Sequence, residues 1–293
     1  MPQDSSACSR TRAGDVATDP ARAGRPPSGR LASVLLGRHL ELVGVLPGGQ
    51  HAMTVRVTDG RTDFVVRGFP TGHDAAHREA EVLPRLTALG DFVPRLVAVD
   101  PHVEYPLVIT TVVAGGAPDS ALPIDVIARE MAAALVRIHK LSGAGLPAAP
   151  SNPPTGSSQI ARRAQFEWAT LDLSDPVLVH SDFWSGNALW KNDKLTGVVD
   201  WAGARQGPRG IDLAWCRQDL VLLGSTSAPD LFLAEYERGL GRPIDDIRAW
   251  DVQAAANAHE RVETWLPNYH GIGRTDLTEG DLRSRLDEWN AKL

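Results

Sequence analysis

The apolar positions change period along the chain. From residue 40 to 113 they alternate or run in short blocks: LELVGVL (40–46), HAMTVRVTD (51–59), TDFVVRG (62–68), RLVAVD (95–100) and PLVITTVV (106–113). Runs of this kind bounded by turn residues read as strands, and the PGG and DG breaks predict an antiparallel meander for the first three. Between the third and fourth runs, HDAAHREAEVLPRLTALG (73–90) carries apolar residues at helical spacing and predicts one long helix ending at Gly90. The breaker cluster AGGAPDS (114–120) predicts a hinge, and after it the period is mostly helical. Helices are expected over 123–143, 158–173, 210–223, 229–239, 245–266 and 279–291, with a loop over 147–158. VLVHSD (177–182) interrupts them as a buried strand, followed by a hairpin turning at KNDK (191–194) and ending in LTGVVD (195–200). No internal repeat is visible. The expected architecture is α+β. A small antiparallel β lobe with one long helix (31–113) precedes a larger, mostly helical lobe (114–293). Residues 1–30, rich in Ser, Ala, Pro, Gly and Arg, read as a disordered tail.

Composition narrows the partners. The chain has 293 residues, 43% hydrophobic and 23% charged, which suits a soluble globular protein with two lobes sharing a cleft. A net charge of −6 argues against a nucleic-acid binder, which usually carries a basic face. No run approaches the ~20 apolar residues of a membrane-spanning helix. The N-terminus lacks the apolar segment of a secretory leader. The two cysteines, Cys8 and Cys216, have neither metal-site nor disulfide-framework spacing. Free thiols and a cytoplasmic location are the expectation.

The chemistry concentrates in VLVHSDFWSGNALWKNDKLTGVVDW (177–201). Asp182 follows one strand, Asn187 comes five residues later, and Asp200 ends the hairpin. A turn-capping role suits either residue type alone. Together, two carboxylates and an amide at neighbouring strand ends suit phosphoryl transfer. One acid orients the attacking hydroxyl, while the other acid and an amide oxygen hold Mg²⁺ on nucleotide phosphates.

HSDFWSGN and VVDW resemble the signature of the aminoglycoside phosphotransferase and choline kinase superfamily, usually H-G-D-x-x-x-x-N followed by a strand ending in Asp and an aromatic or Leu. GPRGIDLAW (207–215) resembles its downstream G-D-P-x-x-D-L-A segment, with Asp212 at the structural Asp. Ser181 stands where Gly is usual, and Pro208 and Arg209 replace Asp-Pro. The resemblance spans about residues 40–223 and implies a bilobal, protein kinase-like fold. It implies Asp182 as the catalytic base or orienting group, Asn187 and Asp200 as Mg²⁺ ligands, and His180 as a buried scaffold residue. Trp184, Ser185 and Gly186 would shape the loop, and His139 would be structural. In the other lobe it implies Gly48 and Gly49 in the nucleotide loop and Arg67 on the third strand as the phosphate cation. It also implies Glu79, rather than Glu81, as the partner of Arg67, and backbone near Thr111 and Val113 as the reader of the adenine.

The expected activity is transfer of the γ-phosphate of ATP or GTP to a hydroxyl of a small acceptor, with Mg²⁺. An aminoglycoside or other natural product leads; choline, homoserine or a sugar remain open. So do a nucleotide-binding pseudokinase and a metal-dependent hydrolase. Within 257–277, Glu260, Glu263, Trp265, Tyr269, His270 and Asp276 are acceptor-site candidates: the acids for a cationic acceptor, the rings for a quaternary amine. His73 and His77 lie at zinc-binding spacing but lack an acid and a third ligand, so they read as surface residues. Oligomeric state is not legible.

Overall fold

The structure is a computed structural model that describes residues 29–46, 52–101, 106–150 and 152–293. The described residues up to 113 contain one antiparallel sheet. Its strands are β1 (Glu41–Val45), β2 (Met53–Thr58), β3 (Asp63–Gly68), β4 (Leu96–Asp100) and β5 (Leu107–Thr111), in the spatial order β1-β2-β3-β5-β4. Successive strand residues face opposite sides. Val55, Val57, Phe64, Val66, Leu107 and Ile109 therefore form a core on one side, closed by Ala32 of α1 (Gly29–Leu36). Arg67, next to Val66 and paired in register with Val108, faces the other way. There Val108 packs with Val82, Leu83 and Leu86 in the main core. The single-residue period thus aims Arg67 at the space between sheet and helical lobe.

Several expected elements differ. The helix over 73–90 is not one long helix. It is α2 (Ala75–Val82), followed by a 3-10 segment over Leu83–Phe92. Pro84 removes a backbone donor and crowds the preceding turn, and Gly90 adopts φ 61°, ψ −133°. The helix over 245–266 is likewise divided into α7 (Ile247–Ala258), a 3-10 turn (Val262–Trp265) and α8 (Leu266–Gly271), with Pro267 in the first turn of α8. The helix over 123–143 ends earlier, as α3 (Ile124–Ile138). Gly143 lies past it, where a Cβ would sit 2.5 Å from the Val177 carbonyl oxygen. α1 was not expected. It begins at the end of the segment read as a tail, and residues 1–28 lie outside the described residues. Gly48 and Gly49 do too.

The helical lobe comprises α3, α4 (Gln159–Glu167), α5 (Gly210–Leu223), α6 (Ala228–Leu240), α7, α8 and α9 (Glu279–Lys292). Two small antiparallel pairs enter it: β6 (Val177–Val179) with β9 (Arg205–Gly207), and β7 (Ala188–Lys191) with β8 (Lys194–Val198). Asn192 and Asp193 turn the second hairpin with φ of 52° and 60°, a conformation these residues tolerate and a two-residue hairpin turn favours. The cluster read as a hinge is tied to this hairpin. Gly116 exchanges backbone bonds with Trp190, and Thr196 Oγ1 donates to the Ala114 carbonyl. α5 is buried on nearly every side, so it has no amphipathic stripe. It nevertheless carries Asp212, Arg217, Gln218 and Asp219 inward. Burying such groups is costly unless they are bonded, so their partners locate the organising centre of the lobe. No helix among the described residues is long and apolar enough to cross a membrane.

Candidate active site

One face of α5 holds the loop between β6 and β7. Asp212, fully buried, accepts the His180 amide at 2.7 Å and His139 Nε2 at 3.1 Å on Oδ2. Its Oδ1 accepts the Ser181 amide at 2.7 Å. Burial depresses the His139 pKa, and its Nδ1 meets the Tyr236 hydroxyl at 2.7 Å. A neutral ring that donates from Nε2 and accepts at Nδ1 satisfies both bonds. One turn along α5, Trp215 Nε1 donates to Asp182 Oδ1 at 3.0 Å. One turn further, Asp219 accepts the Ser185 amide at 2.9 Å on Oδ2 and the Tyr269 hydroxyl at 3.0 Å on Oδ1. Residues three and four apart share a helix face, so a single rigid helix sets three points of the loop.

The loop's backbone explains its sequence. Ser181 sits at φ 68°, the left-handed region that glycine enters without a Cβ clash. This accounts for Gly at that position in the resembling signature. In this chain Asp212 holds a serine there instead. At Gly186 a Cβ would lie 2.2 Å from the Trp184 indole, so the ring's placement requires glycine. His180 sits with its ring 4.6 Å from that of Trp201 and bonds the Val199 carbonyl through Nε2 at 2.9 Å. It braces the loop against the end of β8.

Asp182, Asn187 and Asp200 converge. Asn187 Nδ2 donates to both Asp182 Oδ2 (2.9 Å) and the Asp182 carbonyl (2.8 Å). With its nitrogen spent twice, Asn187 retains Oδ1 as its side-chain ligand atom. Its carbonyl accepts the Val199 amide at 2.9 Å, which ties it to the residue before Asp200. Asp200 has φ 66° and ψ 62°, a strained conformation of the kind found at functional sites. Its Oδ1 lies 2.8 Å from Arg67 Nη2, while Arg67 Nη1 lies 2.6 Å from Glu79 Oε1. Glu79 is 1% exposed, and Glu81 lies on the outer face of α2 beside His77. Burial opposes the charge on Arg67, but Glu79 and Asp200 outweigh it and keep the guanidinium protonated. Burial raises the Glu79 pKa, against the pull of Arg67. Burial also pushes Asp182 above the ordinary carboxylate range, and Asp200 adds to the effect, against the bonds from Asn187 and Trp215.

Burial pushes Asp219 up to about 6. A carboxyl raised on folding binds its proton more tightly in the folded state. Its stabilising contribution is therefore full at low pH and lost as pH rises through the folded value. The shift corresponds to about 3 kcal/mol. Chemical denaturation of Asp219→Asn is expected to lack this component of the decline between about pH 4 and 7. Asp251, raised similarly beside Arg217, supplies the same slope to wild type and variant, so the difference isolates Asp219.

Asp182, Asn187 and Asp200 line a cavity of about 420 Å³, with Trp184, Trp215, Gln218, Asp219, Trp265 and Tyr269 on its other walls. A larger cavity, about 510 Å³, is lined by residues of α4 and α7 together with Arg209 and Arg242. Both arginines pair with Asp175, and none of the converging acids opens there. No group of three or more His, Cys, Asp or Glu that could hold a metal exists among the described residues. Asn187 Oδ1 and the carboxylates of Asp182 and Asp200 are hard oxygen donors. They suit Mg²⁺, which takes few protein ligands and completes its shell with water and phosphate.

At the end of the sheet, the Thr111 amide donates to the Arg95 carbonyl at 2.9 Å, and Thr111 Oγ1 accepts the Arg95 amide at 3.0 Å. That amide is committed inside the sheet and not open to a base. Val113, two residues on, makes no backbone hydrogen bond to another described residue. His73 and His77 lie near the start of α2, where His73 Nδ1 accepts the Ala75 amide.

A model of the phosphotransferase enzyme family matches residues 43–252. The chain belongs to this family. Solved structures of similar fold include the choline kinase LicA from Streptococcus pneumoniae, at 16% identity and TM-score 0.61, covering 90% of this chain and 97% of that one. A macrolide 2′-phosphotransferase from Brachybacterium faecium matches at 15% and 0.58, over 89% and 96%. A mutant of the aminoglycoside phosphotransferase APH(4)-Ia, in ternary complex with ADP and hygromycin B, matches at 15% and 0.59, over 89% and 98%. Comparison with curated proteins finds no match.

Of the acceptor-site candidates in this phosphotransferase, Trp265 and Tyr269 line the cavity. Glu263 is bonded by Arg283, Asp276 by Arg274, His270 meets the Leu277 carbonyl, and Glu260 is exposed. Sequence reasoning missed Trp215, Gln218, Asp219 and Arg261. For the α5 residues the available signal was the run of polar side chains, Arg217, Gln218 and Asp219, between the apolar blocks of IDLAWCRQDLVLL.

Proposed function

We propose that the chain transfers the γ-phosphoryl group of ATP or GTP to a hydroxyl of a small molecule. The observation that carries this reading is the cavity in which Asp182, Asn187 and Asp200 meet beneath Arg67. Both carboxylate oxygens of Asp182 are aimed by donors, Oδ1 by Trp215 of α5 and Oδ2 by Asn187 of the loop. It is assigned the acceptor hydroxyl, which it orients and from which it takes the proton. A pKa raised by burial makes it a better base than an exposed carboxylate. Arg67, positioned by Glu79, is assigned the nucleotide phosphates, and the backbone at Val113 the adenine edge. Asn187 and Asp200 would hold Mg²⁺, which neutralises charge on the phosphates when bound. The remaining contribution is positioning, since holding both reactants in line supplies much of the rate in such reactions. ADP in the complex of the similarly folded APH(4)-Ia supports a nucleotide donor.

The arrangement also predicts a change of partner. Asp200 pairs with Arg67 at 2.8 Å and must share its carboxylate with the cation on binding. Asp200→Ala is expected to weaken Mg²⁺-dependent nucleotide binding by at least about tenfold. Calorimetric titration of ATP with and without Mg²⁺ checks this. Equal Mg²⁺-dependent affinity in variant and wild type would remove Asp200 from the metal site.

A further inference from the structure

The acceptor end of the cavity has a chemistry of its own. Trp215 and Trp265 lie 5.3 Å apart between ring centroids, and Trp184 and Tyr269 5.7 Å apart. Such walls bind flat or apolar faces. Aromatic walls also attract cations. Here Arg261 already lies over Trp265, its guanidinium carbon 5.8 Å from the ring centroid. A second cation on that ring would meet a like charge. The carboxylates nearby already carry partners or roles: Asp219 bonds Ser185 and Tyr269, Asp182 bonds Trp215 and Asn187 and is assigned the reacting hydroxyl, and Asp200 pairs with Arg67 and is assigned the metal. Arg261 donates from Nε to the Asn257 carbonyl at 3.1 Å, and no carboxylate pairs with it among the described residues. Gln218, 2% exposed and lining the cavity, has a buried Oε1 without a hydrogen-bond partner. An unmet polar group at a pocket wall selects for a ligand that completes it.

We propose that the acceptor is an alcohol with an apolar or aromatic ring face and an anionic substituent. The ring lies against Trp184 and Trp265, Gln218 takes a hydroxyl, and Arg261 pairs with the anion. A polyamine sugar or a quaternary amine is disfavoured by the same groups. The inference rests on the phosphotransfer reading for the placement of the reacting hydroxyl at Asp182.

The test is equilibrium binding, read by calorimetry with Mg–ADP present. The probes are 4-nitrophenyl β-D-glucuronide, the neutral 4-nitrophenyl β-D-glucopyranoside, kanamycin A and choline. The glucuronide is expected to bind best, about fivefold tighter than the glucoside, as one partly exposed ion pair allows. Trp265→Ala is expected to weaken both aryl probes by about tenfold. Arg261→Glu, at an exposed site, is expected to reverse the preference between them, with an unchanged melting temperature showing that it folds. Tighter binding of kanamycin or choline, binding of neither aryl probe, or a preference unmoved by Arg261→Glu would overturn the proposal. Because the readout needs no turnover, it separates from the reaction itself. Selective binding with no Asp182-dependent transfer to any acceptor would retain the acceptor class and reject the phosphotransfer reading. Asp182-dependent transfer to kanamycin would do the reverse.

Discussion

Asp182→Ala is expected to lower phosphotransfer by about three orders of magnitude or more, as loss of an acid–base group in a positioned site does. Folding and nucleotide binding should survive. The carboxylate is held above its ordinary pKa by burial, so deleting it also deletes a desolvation cost. Asn187 keeps one of its two bonds, to the residue's carbonyl oxygen, which alanine retains. The Trp215 indole loses its partner, but it is only partly buried and can turn to water. The free energy of unfolding should therefore change by no more than about 1 kcal/mol. Steady-state transfer, nucleotide titration and denaturant unfolding on one preparation check the three parts together. Activity within a factor of a few of wild type would remove Asp182 from the reaction.

The second large effect is structural. Asp212→Ala is expected to cost about 3–5 kcal/mol of stability and to abolish activity with it. Three donors depend on this one carboxylate: the amides of His180 and Ser181, and His139 Nε2. His139 and His180 are buried, Ser181 partly so, and water cannot replace all three bonds. Without them nothing holds Ser181 in its left-handed conformation, and the Asp182 backbone follows. Asp212→Asn should recover part of the loss, since an amide presents one acceptor oxygen where the carboxylate presents two. Unfolding of Asp212→Ala at the wild-type denaturant midpoint would show that the loop is held elsewhere.

Both predictions depend on α5, and α5 is where the sequence was hardest to read. Asp212 was visible through its segment's resemblance to a known pattern. Trp215 and Asp219 were not, because a helix buried on all sides has no polar stripe to set its phase. Which of its residues touch the loop is decided by tertiary packing. Arg67 and Glu79 were easier. Alternation along β3 turns Arg67 away from the outer core shared by Val66, and helical phase turns Glu79 inward and Glu81 outward. The helix break at Pro84 was written in the sequence, but apolar periodicity ran through it and masked it. The hinge residues illustrate another limit. Strand periodicity carries through Thr111, yet only the pairing with Arg95 shows that its amide is occupied. The candidate acid Glu263 looked available for a cationic acceptor because its arginine partner, Arg283 of α9, is brought in by the fold; Asp276 is paired locally, by Arg274 two residues before it.

The strain at Ser181 and Asp200 fits the same account. Both lie at strand ends of the 177–201 segment, both take a positive φ (68° and 66°) without being glycine, and both are held by charged partners, Asp212 and Arg67. Left-handed conformations of such residues cost of order 1–3 kcal/mol each and persist only where the surroundings impose them.

The most direct measurement is a phosphotransfer reaction read by mass spectrometry. Wild type and Asp182→Ala would be incubated with Mg–ATP or Mg–GTP and a panel of hydroxylated acceptors, including anionic aryl glycosides, aminoglycosides, choline, homoserine and sugars. The account predicts that one acceptor class gains a single phosphoryl group on a hydroxyl, with equal formation of nucleoside diphosphate, and that the variant gives neither product. Nucleoside diphosphate released with only inorganic phosphate, or a chain that binds no Mg–nucleotide, would contradict it.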